Sequence, residues 1–141
     1  MADAHSGRGA RAARPLSPHL QIYTMTVSMA SSIIHRITGA ALYFGSALLA
    51  WWLISAAISP EYFDYVASWF QTWPGKFVML GYTWALLHHM MGGLRHFIWD
   101  LGYGYELATI DNLSWASAAI SLTATALVWY CVATNHGSVG S

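Results

Sequence analysis

The chain has 141 residues, 56% of them hydrophobic and 9% charged, with zero formal net charge. Soluble domains carry about 25% charged residues, so this composition speaks against one and for a membrane protein. Without a basic excess there is no electrostatic footprint for nucleic acid. The single cysteine, Cys131, rules out a disulfide or thiolate metal site built within the chain, and it reads as apolar filler.

In chain order, residues 1–28 read as an arm. It carries Arg8, Arg11 and Arg14 in a Gly/Ala-rich stretch. No short apolar core with a cleavage site follows the arginines, which argues against a secretory signal, and Asp3 and the short length argue against a transit peptide. Pro15 and Pro18 predict an extended segment lying along a surface or a partner.

Residues 29–134 are expected to form a three-helix transmembrane domain, with helices over 29–58, 75–102 and 113–134. A helix needs about 20 apolar residues to cross the hydrocarbon core. The eight Trp and eight Tyr cluster toward the ends of these runs, as in interfacial aromatic belts. A connection follows over 60–74, with Glu61 and Asp64 ahead of Lys76. The third run holds no Asp, Glu, Lys or Arg, and residues 135–141 form a short tail without Lys or Arg. The arginines of the arm place the N-terminus inside and the C-terminus outside.

The second run is the most informative: His89-Met-Met-Gly-Gly-Leu-Arg-His-Phe-Ile-Trp-Asp100. Ionisable groups at a bilayer centre cost roughly 2.5–3.5 kcal/mol each on insertion scales, so they are functional candidates. His89 and His96 share one helical face about 10 Å apart along the axis, with Gly93 on the same face. A histidine beside a missing side chain suits a flat, bulky ligand such as a haem. His89 lies ~15 Å from Trp99 along the axis, near mid-bilayer. In the first run, Ser32, His35 and Arg36 lie at the depth of Arg95 and His96, and polar groups matched on two helices suggest a shared internal site.

Plainer readings stand beside these. His89 is a ligand or a satisfied core histidine. His88 reads as a packing or lipid-interface residue, and Arg95 and His96 as interfacial anchors. Arg36 either serves a site or snorkels to the headgroups. Asp100 reads as a salt-bridge partner of Arg95 or a loop contact. Met90 and Met91 read as gap-fillers. Ser117, Ser121 and Thr125, spaced by four, read as a close-packing face. His5, His19 and His136 receive no role.

Two regions resemble the cytochrome b membrane-anchor subunit of succinate dehydrogenase, the C subunit of respiratory Complex II. One is Arg14-Pro15-Leu16-Ser17-Pro18-His19-Leu20 with Ser32-Ile33-Ile34-His35-Arg36-Ile37-Thr38-Gly39. The other is His89 through Gly102. The resemblance covers the arm and the first two runs by motif and the third by architecture alone.

The resemblance implies an all-α subunit forming half of a two-subunit haem-binding anchor bundle. Its partners are a second small anchor subunit, an iron–sulfur subunit, a flavoprotein subunit and membrane lipid. It implies haem b with His89 as one axial iron ligand and the other from the partner anchor. His35, Arg36, Gly93 and His96 then belong to the haem pocket and its propionates, and Ser32, Ile33 and Arg36 to a ubiquinone site. The chain alone is not catalytic and contributes to succinate:quinone oxidoreduction. A bacterial cytoplasmic membrane is the expected location, with the mitochondrial inner membrane second. The competing functions are a structural anchor without haem, a fumarate reductase anchor, and an ion or metal conduit through His88, His89, His96 and Asp100.

Overall fold

The computed structural model describes residues 17–18 and 21–138, with side chains through Asn135. Arg8, Arg11, Arg14, Pro15, Leu16, His19 and Leu20, the core of the arm reading, lie outside the described residues, as does the side chain of His136. Four helices follow in order: α1 Val27–Ile58, α2 Pro60–Gln71, α3 Trp73–Asp100 and α4 Leu107–Ser138. The described residues contain no strand.

Each start has a local cause. The Thr26 hydroxyl caps α1 by accepting from the Met29 N–H at 3.3 Å. Ser59 caps α2 through Tyr62, and Thr72 caps α3 through Gly75, each at 3.2 Å. Pro60 and Pro74 occupy the first turns of α2 and α3, where a missing N–H costs nothing. The Glu61 carboxyl is held below the usual carboxylate range, first by its own backbone N–H and then by Ser59.

The end of α3 is as well defined. Gly102 has φ +83°, its N–H donates to the Trp99 carbonyl at 2.8 Å, and the Tyr103 N–H reaches Ile98 at 3.2 Å. That is a Schellman stop, which glycine adopts without strain. It ends the helix at Asp100, two residues before the expected boundary at 102.

The 60–74 connection is an extra helix. The two prolines that punctuate it in sequence are helix-start residues, so α2 fills the space between them. Its buried Val66 faces inward, Trp51 Nε1 of α1 donates to the Tyr62 hydroxyl at 3.1 Å, and the Trp52 and Phe63 rings pack at 5.5 Å. α4, the third expected span, also exceeds its predicted bounds, starting six residues before 113 and running four past 134 to Ser138.

The molecule is apolar outside and polar inside. Among the described residues only Val66 and Ala85 are buried hydrophobics. Ser31, Thr38, Ser55, His88, Arg95, Ser114, Ser117, Ser121 and Thr125 are buried polar residues. Water would reverse that arrangement, whereas hydrocarbon permits it, since small polar residues let helices approach closely and bond across the seam. α1 and α4 (the latter over Leu107–Asn135) are long and apolar enough to cross a membrane. α3 matches them in length but is not among the helices that qualify on hydropathy, because it carries three histidines, Lys76, Arg95 and Asp100. Like α1, it packs against all three other helices.

Candidate functional site

The α1–α3 seam brings His35 and His89 into face-to-face contact. Their rings stack with centroids 4.0 Å apart and planes 5° from parallel. Glycine makes this possible from both sides. A Cβ at Gly39 would stand 3.0 Å from His89 Cε1, and one at Gly92 would collide with the His35 ring. His96, exposed, has its ring 5.6 Å from that of His35 and edge-on to Trp99 at 5.2 Å.

Hydrogen bonding sets the chemistry of His89. Its Nδ1 lies 3.1 Å from the His35 backbone carbonyl and 3.4 Å from the Thr38 hydroxyl, which itself donates to that carbonyl at 2.9 Å. A carbonyl only accepts, so this contact assigns the proton to Nδ1 and leaves the Nε2 lone pair free. Metal-ligating imidazoles commonly donate their other ring N–H to a carbonyl in this way. A Cβ placed on Gly93, one turn from His89, meets nothing within 4 Å. An oriented imidazole beside open space fits one axial ligand of a haem. Among the described residues no three His, Cys, Asp or Glu converge on a common metal position.

Ser32 and Arg36 share one face of α1 and both are exposed, and Ile33 is 44% exposed. They lie outside the histidine seam, on a surface this chain leaves open. An arginine in that position is costly in lipid unless something covers it.

The α3–α4 seam takes the other polar residues. His88 is buried, and its Nδ1 lies 3.1 Å from the Ser121 hydroxyl. Of the two readings of His88, it is therefore the packing one that describes it. Arg95 is 6% exposed and donates to the Ser114 hydroxyl at 2.8 Å, so it is a buried group rather than an interfacial anchor. Its guanidinium turns to α4, while Asp100 stays exposed at the helix end. Ser117, Ser121 and Thr125 do form the expected close-packing face, extended by Ser114. Cys131 is exposed on α4.

Sequence reasoning passed over Thr38, Gly39 and Gly92. Their signal is present: 35, 38, 39 and 42 follow helical spacing on one face, and Gly92 is three residues from His89 just as Gly93 is four. Which glycine meets α1 and which faces open space depends on helix rotation.

Residues 10–128 match the sequence profile of the succinate dehydrogenase/fumarate reductase transmembrane subunit. The chain belongs to that family. It is 41% identical over 128 residues to the succinate dehydrogenase cytochrome b556 subunit of Paracoccus denitrificans, covering 90% of this chain and 94% of the relative. It is 35% identical over 116 residues to the subunit of the same name from Rickettsia felis, covering 82% and 90%. The mitochondrial cytochrome b560 subunit of Mus musculus is 34% identical over 105 residues, covering 69% of this chain and 59% of the relative. The all-helical, outward-apolar fold is that of a membrane subunit, and the family membership bears out the resemblance drawn from the two motifs.

Proposed function

We propose that this chain is the haem b-binding anchor subunit of a succinate:quinone oxidoreductase. The observation that carries the reading is the His89 ring, with Nδ1 committed to the His35 carbonyl, Nε2 free, and Gly93 leaving room beside it. The cytochrome b names of the relatives support haem as the group held there.

In this reading α1, α3 and α4 span a bacterial cytoplasmic membrane, with the N-terminus inside and α2 lying along the outer interface. The amphipathic pattern of α2, with Val66 inward and Glu61 and Asp64 exposed, supports that placement. The alternative location is the mitochondrial inner membrane. A second small anchor subunit would help to hold the haem, and the flavoprotein and iron–sulfur subunits would dock on the inner face.

When bound, the haem would supply a centre that holds or passes one electron. His89 binds and orients it, with Thr38 and the His35 carbonyl fixing the imidazole. His35, Arg36 and His96 supply polar and cationic groups to its propionates. Ser32 and Arg36 donate to a ubiquinone carbonyl, with Ile33 packing beside them. Quinone reduction develops negative charge on oxygen, which a fixed guanidinium and a hydroxyl stabilise. The exposure of Ser32, Ile33 and Arg36 supports a quinone site completed by the partner subunits, which would also cover the arginine.

The test is purification of the whole complex from detergent-solubilised membranes with a reduced-minus-oxidised spectrum. The expected result is a b-type spectrum in the native complex that disappears in His89→Ala. A complex of native stoichiometry without haem, or unchanged haem in His89→Ala, refutes the haem role and leaves a structural anchor.

A further inference from the structure

We propose that Arg95 is a buried positive charge that raises the reduction potential of the haem bound at His89. The proposal rests on the reading of His89 as an axial ligand.

Arg95 is 6% exposed, and its contacts are neutral. Nη1 donates to the Ser114 hydroxyl at 2.8 Å, and the guanidinium carbon stands 5.7 Å from the Trp99 ring centre. Its Nε is buried with no hydrogen-bond partner among the described residues. No described carboxylate pairs with it. Asp100 is exposed at the helix end. Asp111 lies one turn along α4 from Ser114 with its Oδ1 buried and unbonded among the described residues; it is not paired with Arg95 and stands on the side away from the His88–Ser121 pair, farther from the level of His89.

A guanidinium keeps its proton in proteins. A buried charge without a counter-charge is expensive, and an apolar side chain of similar volume would pack the same seam at lower cost. Keeping an arginine there therefore points to a use for its field. Arg95 is six residues from His89, roughly 9 Å along the helix axis. Reduction adds one negative charge at the iron centre and breaks no bond. The two side chains leave α3 about 120° apart, so the guanidinium stands farther from the iron than that rise. At roughly 15 Å and an effective dielectric near 20, a unit positive charge favours the reduced form by roughly sixfold. For one electron, where tenfold is about 59 mV, that sixfold shift in equilibrium is about 46 mV. Ser114 and Trp99 hold the guanidinium in place without neutralising it.

The experiment is a potentiometric titration of the haem absorbance in the purified, fully assembled complex. Four forms are compared: wild type, Arg95→Gln, Arg95→Lys and Ser114→Asp. The last keeps the arginine and places a carboxylate where its hydroxyl partner stands. Arg95→Gln and Ser114→Asp should each lower the midpoint by the equivalent of roughly sixfold, about 46 mV, while Arg95→Lys stays near wild type. Haem content and band position should not change. Wild-type midpoints in both Arg95→Gln and Ser114→Asp overturn the proposal. So does loss of the haem-loaded complex in both, which assigns Arg95 a purely structural role. A wild-type complex without haem sinks the reading of His89 on which the proposal stands.

Discussion

The backbone carbonyl of His35 accepts from the side chain of His89 at 3.1 Å while the two imidazoles stack at 4.0 Å. One residue of α1 thus orients the candidate ligand of α3 twice, through its main chain and through its ring. The two contacts separate under mutation. His35→Ala removes the stack but keeps the carbonyl, so haem content should stay near wild type while the absorbance and low-spin resonance signals change. Pyridine haemochrome assay and electron paramagnetic resonance of the complex check this. Loss of haem from the variant would show that the ring is required for retention.

Gly92 and Gly93 are adjacent and opposite in consequence. A Cβ at Gly92 collides with the His35 ring, whereas one at Gly93 has nothing within 4 Å in this chain. Gly92→Ala should therefore cost about 1–3 kcal/mol through overpacking and reduce the yield of assembled complex. Gly93→Ala should assemble normally, and Gly93→Leu should assemble but exclude haem. Subunit stoichiometry and haem content of the three variants decide the matter. Normal haem content in Gly93→Leu would show that the open space does not face the cofactor.

Ser32 and Arg36 leave the histidine seam intact when altered, because both are exposed on α1. Arg36→Ala should lower quinone reductase turnover by roughly 10²-fold, the scale of losing one charge-stabilising donor. Ser32→Ala should cost less. Complex yield should be unchanged in both. Succinate-dependent quinone reduction, compared with artificial-acceptor activity in the same preparations, provides the check, and unchanged quinone rates would end the assignment.

The α3–α4 seam predicts stability effects without spectral ones. Ser121→Ala leaves the His88 Nδ1 buried and unbonded. The cost should be about 0.5–2 kcal/mol, because hydrogen bonds between membrane helices are modest. Thermal inactivation of the detergent-solubilised complex should come a few degrees earlier (Tm lower), with haem midpoint and content unchanged.

Much of this was written in local chemistry. The helices over 29–58 and 75–102 were placed within two residues of their observed ends, because long apolar runs and glycine stops act over a few residues. The family resemblance rests on Arg14 through Leu20 with Ser32 through Gly39, and on His89 through Gly102, whose order survives any packing. In sequence α2 reads as a connection, because Pro60 and Pro74 look like breakers until their position at helix starts is known. The span of α4 was read short because its polar first turns look like loop.

The sequence by itself determined that this is a helical membrane chain, that its ionisable residues concentrate in the second long run, and that His89 is the leading candidate for a ligand. Only the tertiary structure decided which groups meet. Rotation of α3 between α1 and α4 sends His89 to the His35 carbonyl and its neighbour His88 to Ser121. The same rotation buries Arg95 against Ser114 and leaves Gly93 facing open space. Spacing along one helix shows which residues share a face, but not which neighbour that face meets. That choice is made by the summed packing of small residues on all three long helices.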